Sequence, residues 1–233
     1  MKQVIAMHGW AGDASHWTHW QRAFAAKGWL WCNAERGYGE EHPVQPSWHT
    51  KANRRVLICH SLGFHLVDAT TLKAATDLVL LASFSRFVPE GAAGRALRTG
   101  LQGMARQIGT SAEQTMLKRF LERVAAPLPL HALPGSLLRQ GPSSRGRDRL
   151  RQDLQLLSRI DDLPPGCPRQ AGVLVLQGDQ DAIVIEPVRR QILHHLKDHL
   201  LTPPCTPQLQ GEGHALLITP QLQRLVIKWL AGE

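Results

Sequence analysis

The chain has little that would mark it for a membrane, a secreted scaffold or a repeat architecture. No apolar run approaches the ~20 residues that span a bilayer, so no membrane span is expected. Cysteine is scarce: Cys32, Cys59, Cys167 and Cys205 have neither zinc-ligand spacing nor the density of a disulfide framework, which suits a reducing cytoplasm. Met1-Lys2-Gln3-Val4 runs straight into an apolar segment, leaving no room for a signal peptide. No segment recurs at a fixed period. What remains is a chain of 233 residues, 43% of them hydrophobic, enough for one sizeable α/β domain with a real core.

Acidic residues are also sparse, and unevenly so. Between residues 86 and 151 there are twelve Arg and Lys against four acids, an excess equal to the +8 of the whole chain. Such a balance points to an acidic partner, although a solvated charged face is the competing reading. The same window lacks interleaved aromatics and any nucleic-acid motif, so no nucleic-acid partner is expected. It shows helical periodicity around Met116, Phe120 and Val124, Pro and Gly breaks from Pro127 to Pro142, and no convincing strand.

The chain is organised around Val56–Leu66, V-L-I-C-H-S-L-G-F-H-L. A short β-rich run breaks at Cys59-His60-Ser61-Leu62-Gly63, and the apolar spacing of Phe64, Leu66, Val67 and Ala69 predicts a helix beyond it. Strand, tight turn with Ser at its apex, then helix is the setting of a nucleophile elbow. The turn pushes the Ser61 hydroxyl out of the sheet and aims the Leu62 N–H at a helix N-terminus toward an oxyanion. A serine that happens to join a strand to a helix would look the same in isolation. His60 reads as a packing or hydrogen-bonding residue of the turn.

Further strands are expected at Gln3–Met7, Trp29–Cys32, Asp77–Ser83 and Gly172–Gly178, with a weaker one at Thr206–Gln210. Asp13–Lys27 reads as an amphipathic helix whose Trp17, Trp20 and Phe24 face a core. Leu150–Ile160, Pro187–Leu200 and Gln221–Leu230 read as further helices. The strand at 172–178 delivers Asp179 and Asp181 at its carboxyl end, and the last strand ends in Gly211-Glu212-Gly213-His214. Ser, Asp and His thus arrive at successive strand ends. A hydroxyl is a poor nucleophile until a base takes its proton, and the base needs a carboxylate to fix its tautomer. His214 could also be a surface-loop histidine, since the chain holds twelve.

His8-Gly9-Trp10, Cys59-His60-Ser61-Leu62-Gly63, Gly178-Asp179-Gln180-Asp181 and Gly213-His214 together resemble the α/β-hydrolase superfamily along nearly the whole chain. The resemblance implies a mostly parallel, doubly wound sheet, with residues 1–85 and 152–233 as the core and 86–151 as an inserted helical, Arg-rich lid. It implies Ser61, His214 and Asp181 as the triad, with Asp181 preferred over Asp179, and backbone N–H groups of Trp10 and Leu62 as the oxyanion hole. The competing reading of residues 8–10 is a glycine turn carrying a core tryptophan. The pattern is departed from at Cys59 and Phe64, where glycines are usual, and in starting directly at the oxyanion strand.

Trp17 after His-Gly-Trp, Thr115–Leu121 and Leu154–Asp161 are similar to the pimeloyl-acyl-carrier-protein methyl ester esterases of biotin synthesis. That resemblance implies hydrolysis of a carrier-linked methyl ester without a cofactor or metal. It also implies an acidic acyl-carrier protein held by lid residues such as Arg119, Arg123, Arg145 and Arg149, and an acyl pocket walled by Trp10 and Phe120. Other carboxylesterases, thioesterases, a menaquinone-pathway lyase and a non-catalytic binding protein on the same fold are the alternatives.

Overall fold

In the central strands the apolar residues alternate between two buried layers, because both faces of the sheet are covered. The computed structural model describes residues 1–135 and 137–233, residue 93 by its backbone alone. Strand β1 (Lys2–Met7) leads through a short 3₁₀ turn, Ala14–Trp17, into helix α1 (Thr18–Ala25) and strand β2 (Leu30–Ala34). Strand β3 (Arg54–His60) is followed by α2 (Gly63–Leu66), α3 (Ala69–Lys73) and β4 (Asp77–Leu81). Four helices come next, α4 (Gly91–Gln107), α5 (Glu113–Ala125), α6 (Leu137–Gln140) and α7 (Ser144–Arg159). Strand β5 (Gly172–Leu176), α8 (Glu186–His199) and α9 (Pro220–Ala231) complete the chain. The sheet is fully parallel in the order β2-β1-β3-β4-β5.

One layer packs Val4, Ala6, Val56, Ile58, Leu174 and Leu176 against α1 and α9, with Trp17, Trp20 and Phe24 fully enclosed as the sequence predicts. The other packs Ile5, Leu57, Leu78, Leu80 and Val173 against Phe64, Leu72, Ile192 and Leu196. A third cluster lies around Trp10, Leu62 and Phe84, where Leu101, Met116, Leu117, Leu150 and Leu154 of the four middle helices close over the loops that follow the strands.

Two expectations need correction. The helix after the turn is only one turn long: Val67 (ψ 141°) and Asp68 (ψ 147°) are extended, and Asp68 caps a new helix by accepting the Thr71 N–H at 2.8 Å. The weak strand at 206–210 does not form. Two isolated parallel bridges, Leu174–Cys205 and Gly178–Leu209, stand in its place. Pro204 and Pro207 carry no N–H for a ladder, so pairing is confined to the residues between and beyond them. Among the described residues no helix is long and apolar enough to cross a membrane.

Helix α7 runs from 144 to 159, across residue 151, and is fastened to the loop after β2. Asp153 accepts from Arg36 Nε and Nη2 at 2.7 Å each and from the Tyr38 hydroxyl at 2.6 Å. Arg149 Nη1 donates to the Gly37 carbonyl at 2.7 Å, and a Cβ at Gly146 would drive into the Tyr38 carbonyl. Burial raises the Tyr38 phenol well above its usual range, with the Asp153 charge adding to it, so the hydroxyl stays a donor. Asp153→Ala should therefore strand a buried tyrosine hydroxyl and an arginine. A loss of about 3 kcal/mol is expected, the low end for a broken buried pair because the Arg36 side chain keeps 26% of its surface in water. Thermal melts should show a drop of roughly 6–12 °C; a change within a degree would refute the role given to this carboxylate.

Candidate active site

The turn after β3 is closed by pressure from β1. Ser61 has φ 53°, a left-handed backbone that costs a non-glycine residue about 1–3 kcal/mol and persists only where its surroundings enforce it. Its N–H donates to the Leu81 carbonyl at 2.8 Å, and Leu62 (φ −59°) already turns helical. A Cβ at Gly63 would lie 2.5 Å from the Met7 carbonyl oxygen and 2.8 Å from that of His8. A Cβ at Gly9 would lie 2.9 Å from Ser61 Cβ. Only glycines let the two strand ends approach this closely. Cys59 is fully enclosed, and burial drives its thiol far above the usual range, so it acts as a small core residue. With α2 a single turn, the helix dipole adds little at Leu62.

Asp181 follows β5 on a tight loop. Its Oδ1 accepts the N–H groups of Ile183 and Val184 at 2.7 and 2.8 Å, and its Oδ2 lies 2.8 Å from His214 Nδ1. Both residues are buried, at 7% and 2% exposure. Burial works against the carboxylate. The charge and hydrogen bond of His214, with the two backbone donors, outweigh burial and hold Asp181 below the usual carboxylate range. An ionised Asp181 accepts from Nδ1–H and leaves Nε2 of His214 as the free lone pair. Asp179 has a different partner: its Oδ1 receives the Gly211 N–H at 2.8 Å on the outside of the same loop. A Cβ at Gly178 would overlap the Glu212 carbonyl, and one at Gly213 the Ala126 carbonyl. Two glycines therefore hold the His214 loop between β5 and the end of α5.

The loop after β1 rests on a buried pair that the sequence did not suggest. His8 Nδ1 donates to the Gly9 carbonyl at 2.9 Å, and Nε2 lies 3.1 Å from Glu35 Oε1. Glu35 also accepts from the N–H groups of Ala14 and Gly37 at 2.8 and 2.7 Å. Burial opposes the charged imidazole, but the hydrogen bond and charge of Glu35 prevail and raise His8 above its ordinary value, while Glu35 is held low by the same pairing. The register offers the missing signal: Met7 pairs with Ala34, so the residues one step beyond, His8 and Glu35, leave the sheet side by side. Further along the same loop Ala11 takes φ 59°. Trp10 donates Nε1–H to the Leu150 carbonyl at 3.0 Å and meets Phe120 edge-on, with ring centroids 4.7 Å apart.

The four arginines separate into two groups. Arg123 Nη2 donates to the Ala182 carbonyl at 2.7 Å, beside Asp181, and Arg149 is tied to Gly37. Arg119 and Arg145 are exposed. Among the described residues there is no cluster of three or more His, Cys, Asp or Glu able to hold a metal.

The His8–Glu35 pair makes stability depend on pH in a defined way. A raised His8 pKa stabilises the fold fully below 6.5 and loses that contribution as pH rises through the folded value. A lowered Glu35 pKa stabilises above 4.5 and loses its contribution as pH falls through the folded value. Glu35→Gln should thus lower the melting temperature most between about pH 5 and 6, and the gap to wild type should narrow toward alkaline pH. Parallel melting curves from pH 4 to 9 would disprove the ion pair.

No family model matches the sequence, and no curated relative matches it. Solved structures do. An esterase, EaEST, from Exiguobacterium antarcticum superposes with a TM-score of 0.75 at 16% identity, over 99% of this chain and 92% of that one. The enol-lactonase from Burkholderia xenovorans LB400 gives 0.66 at 15% identity, over 99% and 91%. A bromoperoxidase from Bacillus anthracis gives 0.66 at 15%, over 99% and 92%. With its parallel sheet and flanking helices, the chain has the α/β-hydrolase fold.

Proposed function

We propose that the chain is a serine esterase that hydrolyses an acyl methyl ester through Ser61, His214 and Asp181. The observation that carries this reading is the buried 2.8 Å bond from His214 Nδ1 to Asp181, on a loop whose His214 carbonyl meets His60, the residue before a serine in a left-handed turn. His214 Nε2 takes the Ser61 proton as Oγ attacks the acyl carbon. The oxyanion that forms accepts from the N–H groups of Trp10 and Leu62. On collapse, the C–O bond to the alcohol breaks and His214 returns the proton to the departing methanol. Water then attacks the Ser61 ester, giving up its proton to His214, and the free acid leaves with Ser61 restored.

Residues 86–151 act as a lid in this reading, with Trp10 and Phe120 walling the acyl chain. The esterases among the structural relatives agree with the reaction class. The resemblance of Thr115–Leu121 and Leu154–Asp161 narrows the substrate to pimeloyl-acyl-carrier-protein methyl ester. The exposed cations of the lid suit an acidic carrier protein. Arg119 and Arg145 are the docking candidates among the four named above, because Arg123 and Arg149 each already hold a backbone carbonyl.

Ser61→Ala should lower kcat by roughly 10⁴-fold or more, and a fluorophosphonate should add to Ser61 in wild type by mass spectrometry. Asp181→Asn should cost on the order of 10³–10⁴ in kcat, and Asp179→Asn little. An unlabelled Ser61, or the reverse ranking of the two aspartates, would end this assignment.

Carrier docking has its own test. Arg119→Ala with Arg145→Ala should reduce kcat/KM on the carrier-linked ester by about 2- to 30-fold, the sum of two exposed pairs. Added salt should mimic the loss, and p-nitrophenyl butyrate should be turned over unchanged. Equal effects on both esters would remove the carrier from the proposal and leave a small-ester carboxylesterase.

A further inference from the structure

We infer that His60, the residue before Ser61, is a positioning residue that holds the His214 loop against the nucleophile turn through one hydrogen bond. The inference rests on the serine-esterase reading for its consequence and on geometry for its existence. His60 Nε2 lies 3.0 Å from the carbonyl oxygen of His214. A carbonyl only accepts, so Nε2 carries the hydrogen and Nδ1 is bare. That carbonyl also receives the Leu216 N–H at 2.9 Å, which fills its second lone pair from within the loop. The His60 bond is the one that crosses to another strand.

Such a tie matters because the base sits on irregular chain. From Leu200 to Ala215 no helix or strand forms. The bridges of Cys205 and Leu209, the Gln180 N–H on the Glu212 carbonyl at 3.0 Å, the Asp179–Gly211 bond and the close packing of Gly178 and Gly213 hold the segment to β5, the loop after it and α5. None of these reaches β3, which carries the serine. Asp181 grips the end of the His214 ring, but it does not set how far the backbone of His214 stands from Ser61. His60 does: its own backbone is locked in β3, opposite Leu81 of β4, and its ring reaches the backbone of the base. The same residue borders the loop after β1. A Cβ at Gly9 would come within 3.1 Å of the His60 carbonyl and 3.3 Å of Nδ1. Nucleophile, base and oxyanion loop are thus spaced around one imidazole.

The chemistry favours histidine used as a neutral donor. The rings of His60 and His214 are 4.9 Å apart, tilted by 54°. A cation at that distance would oppose the imidazolium that His214 becomes during the reaction. Burial first, and the neighbouring His214 second, keep His60 well below the ordinary histidine range, so it donates a hydrogen without bringing a charge.

The test compares His60→Gln, whose amide N–H can still donate, with His60→Leu, which fills the space and cannot. Fluorophosphonate labelling of wild type comes first, since an unlabelled Ser61 would fail the esterase reading and leave the bond itself standing. Labelling then counts active sites, and kcat per labelled site and KM are measured on p-nitrophenyl butyrate. A displacement of about 1 Å at a reacting group can cost 10²-fold. His60→Leu should accordingly lose roughly 10- to 100-fold in kcat with KM within about 3-fold, and His60→Gln should recover to within about 5-fold of wild type. A purely structural role would lower the melting temperature and the labelled fraction while leaving kcat per site unchanged, and that result would overturn the proposal. So would a Gln variant as slow as Leu at equal melting temperature. If the Leu variant does not fold, imidazole NMR of wild type decides. An Nε2-protonated ring that stays neutral from pH 5 to 9 supports the tie, and an Nδ1-protonated ring refutes it.

Discussion

Every feature of the candidate site follows from how closely the ends of β1 and β3 approach each other. Ser61 stands in a left-handed conformation that a serine does not choose, and neighbours on three sides impose it: Leu81 takes its N–H, Gly9 meets its Cβ, and Gly63 lies on the carbonyls of Met7 and His8. Remove the closeness and the turn relaxes, the hydroxyl withdraws, and the Leu62 N–H points elsewhere. The apolar filling of the parallel sheet drives the two strands together, with Val4, Ile5, Ile58 and Leu57 fully buried. The core therefore does more than stabilise. It sets the spacing on which the geometry of the turn depends.

The middle helices join this arrangement through ties that hold the walls of the site. Trp10 is bonded to Leu150 of α7 and packed on Phe120 of α5. Arg123 of α5 reaches the Asp181 loop, and Gly213 lies against Ala126. A segment with this many anchors on three separate loops responds as one body, so anything that docks on its outer face acts on surfaces already coupled to the loops beneath. The positive charge of the segment is divided accordingly. Arg147 and Arg151 bind Glu113 and the Ile108 carbonyl, Arg123 and Arg149 bind the carbonyls of Ala182 and Gly37, Arg86 is half-buried against Glu90, and the remainder faces solvent.

Much of this was legible in the sequence, and the reasons differ by feature. Strands buried on both faces announce themselves as continuous apolar runs, and the turn at Cys59–Gly63 is local, so its residues are sufficient evidence for it. The tryptophans of α1 show their face by spacing alone. Whatever depended on two distant segments meeting was hidden. Glu35 looks like an ordinary loop acid until β1 and β2 are known to be in register. Arg123 and Arg149 look like free surface charge until α5 and α7 are placed against Ala182 and Gly37. Asp153 reads as one more polar residue of an amphipathic helix, although it is 1% exposed and accepts three hydrogen bonds. The helix after the elbow was overestimated because its apolar spacing continues past Val67, while the capping carboxylate of Asp68 restarts the chain in another direction.

Histidine is abundant around the candidate site, yet charge is not, and the distinction bears on how the base would work. His16 and His65 are each pushed down to about 4 by burial, and His60 is held well below its ordinary range for the same reason. His8 alone among these is raised, and it faces Glu35, so its charge is answered within its own pair. The nearest charge to His214 is that of Asp181, 2.8 Å away and held below the usual carboxylate range by His214 and by two backbone donors. Neutral imidazoles supply shape and directed N–H groups at no electrostatic cost to an imidazolium, which a lysine or an arginine in the same places would oppose. Burial thus serves two ends in this fold: it packs the strand ends tightly enough to strain Ser61, and it holds His16, His60 and His65 below the ordinary histidine range around the Asp181–His214 pair.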